Sequence, residues 1–285
     1  MRKKIIEFIS KVSGEADAFY LLEQSAGKIT RDELRENIIE CGILPEMFPH
    51  DSSTEKLWAK YSDIILAHTL GFLGIPSEVL RVRGNSADVF GKNAEYSIVG
   101  DAKTFRLSRT AKNQKDFKVK SLDDWRKKDN YVVLAAPLIQ YPSRKSQIYA
   151  QAIDKNITLL SYTHLSFLLE YHHGQDIRPL WETSERLRTS LKTAEHENSA
   201  SYWKEIDRTV CRITDKLHED LRRHKESEIV RSKQLGNEGI AYWRGIIRKY
   251  KNLSKEEAIA RLIKAEKIES KIRTIEETIN QTVEL

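Results

Sequence analysis

The chain has 285 residues, 40% of them hydrophobic and 32% charged, with 48 Lys and Arg against 42 Asp and Glu for a formal charge of +6. That is enough apolar content for a sizeable core in one large domain or a domain with an appendage. Composition excludes a disulfide framework and a thiolate zinc site, because Cys41 and Cys211 are far apart and form no CxxC pair, and it excludes a membrane span, because no apolar run nears the ~20 residues needed.

The opening MRKKIIEFIS has neither the long apolar stretch nor the small-residue cleavage site of a secretory signal. Residues 1–50 read as a helical segment, in which TRDE at 30–33 has capping-box spacing; GILPEMFPH then breaks the pattern with two prolines. SSTE at 52–55 is a second capping box opening a helix to about residue 73. Its stripe is Leu57, Tyr61, Ile64, Ile65, His68 and Phe72, with His68 a core or edge histidine rather than a ligand.

From 78 to 167 the pattern turns to short strands: VLRVRG, ADVF and YSIVGDAK, with GKN at 91–93 as turn chemistry. SLDDWRKK is a short helix and YVVLAAP a strand covered on both faces. SRKSQIYAQAID, ITLLSY and THLSFLLEYHH continue as helix, strand, helix. The order predicts a mixed α/β (α+β) fold, a mixed central sheet flanked by helices. Beyond about 176 only helices are expected. One carries the stripe Trp203, Ile206, Val210, Ile213 and Leu217, and another opens at SKEE, 254–257. The expected organisation is an N-terminal segment, 1–50, a core, 51–175, and a large helical region, 176–285, that is a helical subdomain or a dimer arm.

Alternation along a strand puts Asp101 and Lys103 on one face with Val99, and Ile98, Gly100 and Ala102 on the other. Asp88 falls in the neighbouring strand of an expected hairpin, where it can lie beside Asp101. Two carboxylates that close repel unless a cation sits between them. Mg²⁺ suits two carboxylates, a backbone carbonyl such as that of Ala102, and waters. Such an ion against a phosphate, with a lysine alongside, fits phosphodiester hydrolysis. D-x-K alone carries little information and also fits a surface ion pair. The basic run that follows, from Lys103 to Lys120, points to a polyanion, nucleic acid before membrane, though a solvated face has the same composition.

Asp88, Asp101 and Lys103 in the pattern D-x(12)-D-x-K resemble the signature of the PD-(D/E)xK nucleases. RGNSADV, DAKTFRLSRTAKNQKDFKVKSLDDW and QYPSRKSQIY resemble the HindIII-type type II restriction endonucleases within that superfamily, with Ala87 where the nominal proline stands. The resemblance implies the restriction-endonuclease-like fold and a homodimeric, Mg²⁺-dependent, cytoplasmic enzyme. It would cut double-stranded DNA at AAGCTT, after the first A, leaving 5′ overhangs. It also implies Asp88 and Asp101 as metal-binding acids, Lys103 as the motif lysine, and Glu55 as a further acid near the metal. Within RTAKNQKDFK, Lys112, Asn113 and Gln114 are expected to read bases, while Arg109, Lys115 and Lys118, with Arg106 just before the stretch, hold phosphates. Tyr141, Lys145 and Gln147 form a second candidate DNA-binding group. The alternatives are a repair or recombination nuclease of the same fold and a DNA-binding protein without chemistry.

Overall fold

The protein is described by a computed structural model covering residues 2–27, 29–81, 87–108 and 117–281. Three helices open the chain: α1 (Arg2–Val12), α2 (Ala18–Ala26) and α3 (Arg31–Cys41). At the start of α3 the capping box forms, with Thr30 accepting from the Glu33 N–H and Glu33 returning to the Thr30 N–H. Helix α4 (Ser53–Phe72) is capped by Ser52, but Glu55 does not close a second box. Its carboxylate instead accepts from the Asp51 N–H at 2.6 Å and pairs with Arg106. The stripe on α4 is buried at Leu57, Tyr61, Ile64 and Ile65, half-buried at His68 and exposed at Phe72, where the helix leaves the core.

The five-stranded sheet runs in the order β1 (Ser77–Val79), β2 (Val89–Lys92), β3 (Ser97–Ala102), β4 (Tyr131–Ala136) and β5 (Thr158–Ser161). The first three pair antiparallel; β3, β4 and β5 pair parallel. This is the mixed sheet expected from hairpin signals followed by strand–helix–strand. Two local expectations are corrected. The first strand is Ser77–Val79, ahead of most of VLRVRG, whose last residues lie outside the described ones. The hairpin turn spans Asn93–Tyr96, where Asn93 Oδ1 accepts from the N–H groups of Glu95 and Tyr96 at 2.9 Å each. Gly91 is a strand residue because β1 passes too close for a side chain: a Cβ there would meet Ser77 Oγ at 2.2 Å.

Helix α4 lies across β1, β2 and β3, with Leu66 against Gly100. The parallel crossovers carry α5 (Val119–Arg126) and α6 (Gln147–Asp154), and every residue from Ile98 to Ala102 is buried. After β5 the described chain is helical: α7 (Tyr162–Tyr171), α8 (Arg178–Trp181), α9 (Thr183–Ser190), α10 (Ser199–Thr214), α11 (His218–Lys251), α12 (Lys255–Ala265) and α13 (Ile268–Gln281). In α10 the buried stripe is Tyr202, Ile206, Val210 and Ile213. Leu217 does not continue it. Asp215 turns left-handed (φ 52°), the helix stops, and Leu217 is exposed.

The chain divides into two compact units, Met1–Gly239 and Ile240–Leu285. The first holds the sheet and the core. Both free cysteines are buried there. No described helix is long and apolar enough to cross a membrane.

Candidate active site

The register of β2 on β3 pairs Val89 with Gly100. One step further in the same register sets Asp88 beside Asp101, so the hairpin does bring the two acids together. Asp101 is only 2% exposed, yet it sits in an apolar strand. It is ion-paired with Lys103, as alternation along the strand requires. Lys103 is fixed through its backbone. Its N–H donates to the Ala135 carbonyl at 2.7 Å, and its carbonyl accepts from the Tyr162 hydroxyl at 2.9 Å.

A third acid joins them. Asp63, buried in the middle of α4, places a carboxylate oxygen within 4.8 Å of those of Asp88 and Asp101. Its Oδ1 accepts from the Ala102 N–H at 3.4 Å, and the neighbouring Ser62 hydroxyl donates to the Ala102 carbonyl at 3.3 Å. Helix α4 is thereby stitched to the end of β3 at the site itself. Burial, followed by the charges of Asp88 and Asp101, pushes the Asp63 carboxyl well above the usual range, against the pull of Lys60. The Lys60 ammonium is bonded to Asp88 and lies 3.3 Å from Asp63 Oδ2. Burial works against its charge, but Asp63 and Asp88 outweigh burial and raise its pKa.

Three carboxylates thus share two ammoniums, Lys60 and Lys103, so the third negative charge has no cation of its own, in keeping with the raised Asp63 pKa. Asp101 Oδ2 is buried and lies against the Lys103 ammonium without a well-formed hydrogen bond to any described group. An all-oxygen donor set in which three carboxylates share two ammoniums fits a hard divalent cation. Asp63, Asp88 and Asp101 are the residues that could hold one.

Sequence reasoning placed Glu55, not Asp63, beside the metal. Glu55 lies outside the cluster, two helical turns before Asp63, and holds Arg106 at 3.3 Å. Asp63 has a signal in retrospect: an acid inside YSDIILA, a stretch otherwise buried on α4. Glu55 also belongs to an exposed group with His50 and Asp51, whose own side chains pair at 2.9 Å.

Of the expected DNA contacts, Lys118 and Lys145 are exposed, Lys118 in a left-handed conformation (φ 48°) just before α5. Arg106 is half-buried against Glu55. Tyr141 is corrected. It is buried, and its hydroxyl donates to the carbonyls of Leu134 (2.9 Å) and Leu160 (3.2 Å), tying the ends of β4 and β5. Arg109, Lys112, Asn113, Gln114 and Lys115 lie outside the described residues. The two sides of that segment are anchored. Phe105 and Phe117 are buried with ring centroids 5.6 Å apart, and Phe117 stacks on Tyr141 at 5.1 Å. Ser108 donates to Glu46 through both its N–H (3.0 Å) and its hydroxyl (2.7 Å). The basic run therefore leaves and re-enters the core next to Lys103.

Comparison with known proteins adds to this geometry. A family model described as HindIII restriction endonuclease matches residues 3–279. The type II restriction enzyme HindIII of Haemophilus influenzae is 39% identical over 260 residues, covering 88% of this chain and 85% of that protein.

Proposed function

The chain belongs to the HindIII restriction endonuclease family and is a type II site-specific deoxyribonuclease; from that premise we propose that it is a Mg²⁺-dependent homodimer acting on double-stranded DNA in the cytoplasm of a bacterial or archaeal cell. The proposed site is AAGCTT, cut after the first A to leave 5′ overhangs. The observation that carries this reading is the meeting of Asp63, Asp88 and Asp101 beside Lys103.

Asp63, Asp88 and Asp101 would hold the ion, with the Ala102 carbonyl at the same strand end. When bound, Mg²⁺ supplies Lewis-acid charge against a phosphate oxygen and makes a coordinated water more acidic. The chain's own groups do the rest. Lys103, held to Asp101 and fixed through its backbone, donates from Nζ to the attacking water or to the phosphate oxygen on which charge grows. Lys60 holds Asp88 and Asp63 in place against their mutual repulsion. Arg106, oriented by Glu55, holds a phosphate beside the cluster, together with Arg109, Lys115, Lys118 and Lys145. Lys112, Asn113 and Gln114 read base edges.

Digestion of plasmid DNA with Mg²⁺, followed by sequencing of the fragment ends, tests the reading. Discrete fragments ending in one hexamer are expected. Structure-dependent or end-dependent cutting would instead indicate a repair nuclease, and no cutting would remove the chemistry. Asp101→Asn abolishes cleavage while DNA binding is retained; normal cutting by that variant would exclude Asp101 from the mechanism.

A further inference from the structure

Within the unit Ile240–Leu285 the described residues form no core of their own. No described side chain from Ile240 to Glu276 is buried. Yet the segment is helical and far from polar. On α11, Ile240, Trp243, Ile247 and Tyr250 recur at steps of three and four. On α13, Ile268, Ile272 and Ile275 do the same. These seven side chains are 40–61% exposed. Helices of 11 to 14 residues such as α12 and α13 are marginal in water without a packed face. Alternating steps of three and four gather these side chains into one apolar seam along each helix, a face that a partner helix fits.

Charge specifies which helix. The positions just after Trp243 and Tyr250 are Arg244 and Lys251. Those just after Ile268 and Ile275 are Glu269 and Glu276. Both pairs are seven residues apart, all four side chains are exposed, and none makes an ion pair with a described residue. One edge of the α11 seam thus carries cations at 244 and 251, at the same interval at which one edge of the α13 seam carries anions at 269 and 276; Lys271 borders the other edge of the α13 seam.

We propose that the C-terminal arm is the self-association surface of this enzyme, with the α11 seam of one copy laid antiparallel on the α13 seam of a second copy. Twofold symmetry repeats the contact, α13 of the first copy against α11 of the second. Arg244 and Lys251 then face Glu276 and Glu269 of the other chain, twice per dimer. The inference rests on the homodimer proposed above and names the surface that builds it.

Two charge-reversed full-length chains test it. One carries Arg244→Glu with Lys251→Glu; the other carries Glu269→Lys with Glu276→Lys. Each alone sets like charges against like at both contacts of a dimer. In a one-to-one mixture, the mixed dimer restores opposite charges at both. The expected result, by sedimentation velocity at low salt, is that each variant alone self-associates about 10-fold or more weakly than the wild type. Their mixture recovers wild-type association as a heterodimer visible in native mass spectrometry. Because misfolded chains would not recover on mixing, recovery separates interface from fold. Variants that dimerise normally on their own would overturn the arm as the interface while leaving the homodimer standing. Weakened variants that fail to recover when mixed would also overturn it, since a seam closed within one chain or covering DNA behaves that way. A wild-type chain that stays monomeric at all concentrations would overturn both readings.

Discussion

Lys60 stands where a cation is needed, bonded to Asp88 and 3.3 Å from Asp63. Replacing it with methionine leaves the three acids with Lys103 alone. Lys60→Met is expected to lower the stability of the metal-free protein by about 1–3 kcal/mol, because buried carboxylates lose a paired charge. Added Mg²⁺ should raise its melting temperature more than that of the wild type. Scanning fluorimetry in EDTA and then in Mg²⁺ measures both, and equal metal-induced shifts would show that Lys60 does not balance the acids. At this scale half the site was legible. Asp101 and Lys103 could be read because a strand repeats every two residues, and Asp88 because a short turn fixes a hairpin's register. Asp63 could not be read, because its role depends on how α4 crosses the sheet, which no local spacing encodes. Tyr141 was misread for the same reason: its hydroxyl is spent on backbone carbonyls that only the folded chain brings within reach.

Elements are joined at a few tight points, and these set the fold's sensitivity. Gly42, at the end of α3, lies under Tyr162: a Cβ there would meet the Tyr162 ring at 2.5 Å and Pro137 at 2.8 Å. Gly42→Ala is therefore expected to destabilise by about 1–3 kcal/mol. It should also reduce cleavage, because Tyr162 is the residue holding the Lys103 carbonyl. Thermal melts and rate measurements on the same preparation check the two effects. Helices α7 and α10 are joined by His164 Nε2 against Asp207 Oδ1 at 2.8 Å, and Lys225 of α11 closes on the same carboxylate at 2.6 and 2.7 Å. Burial opposes the Asp207 charge, but His164 and Lys225 prevail and bring its pKa down from 3.8 to about 2. A depressed carboxylate contributes stability above its unfolded pKa and loses it as pH falls through the folded value. The wild type should thus lose about 2 kcal/mol between pH ~4 and ~2 that Asp207→Asn does not lose. Denaturant titrations across that range test the sign. Parallel loss in the two proteins would exclude the linkage. The mixed sheet and the helix starts were readable, Thr30 and Ser254 forming the boxes their spacing predicts and Ser52 capping α4 without one. The end of α10 was not, because nothing in the apolar stripe announces the left-handed turn at Asp215.

At the scale of the molecule, the +6 charge is modest, and the basic run follows directly on the Asp101–Lys103 pair in the sequence, from Lys103 to Lys120. DNA affinity should fall steeply with salt, and the slope should track the number of phosphates held. Asn113→Ala, assigned to base reading, is expected to weaken specific binding by about 1–3 kcal/mol without changing that slope. Binding isotherms at several salt concentrations separate the two contributions, and an unchanged site preference would refute the assignment. The contact between Phe105 and Phe117 has an evolutionary consequence. Phe105 and Phe117 close on each other inside the core, so replacements in the segment between Ser108 and Phe117 leave this clasp in place. New target sequences can be sampled in that segment while the cutting machinery is inherited intact, as exchangeable blades share one handle.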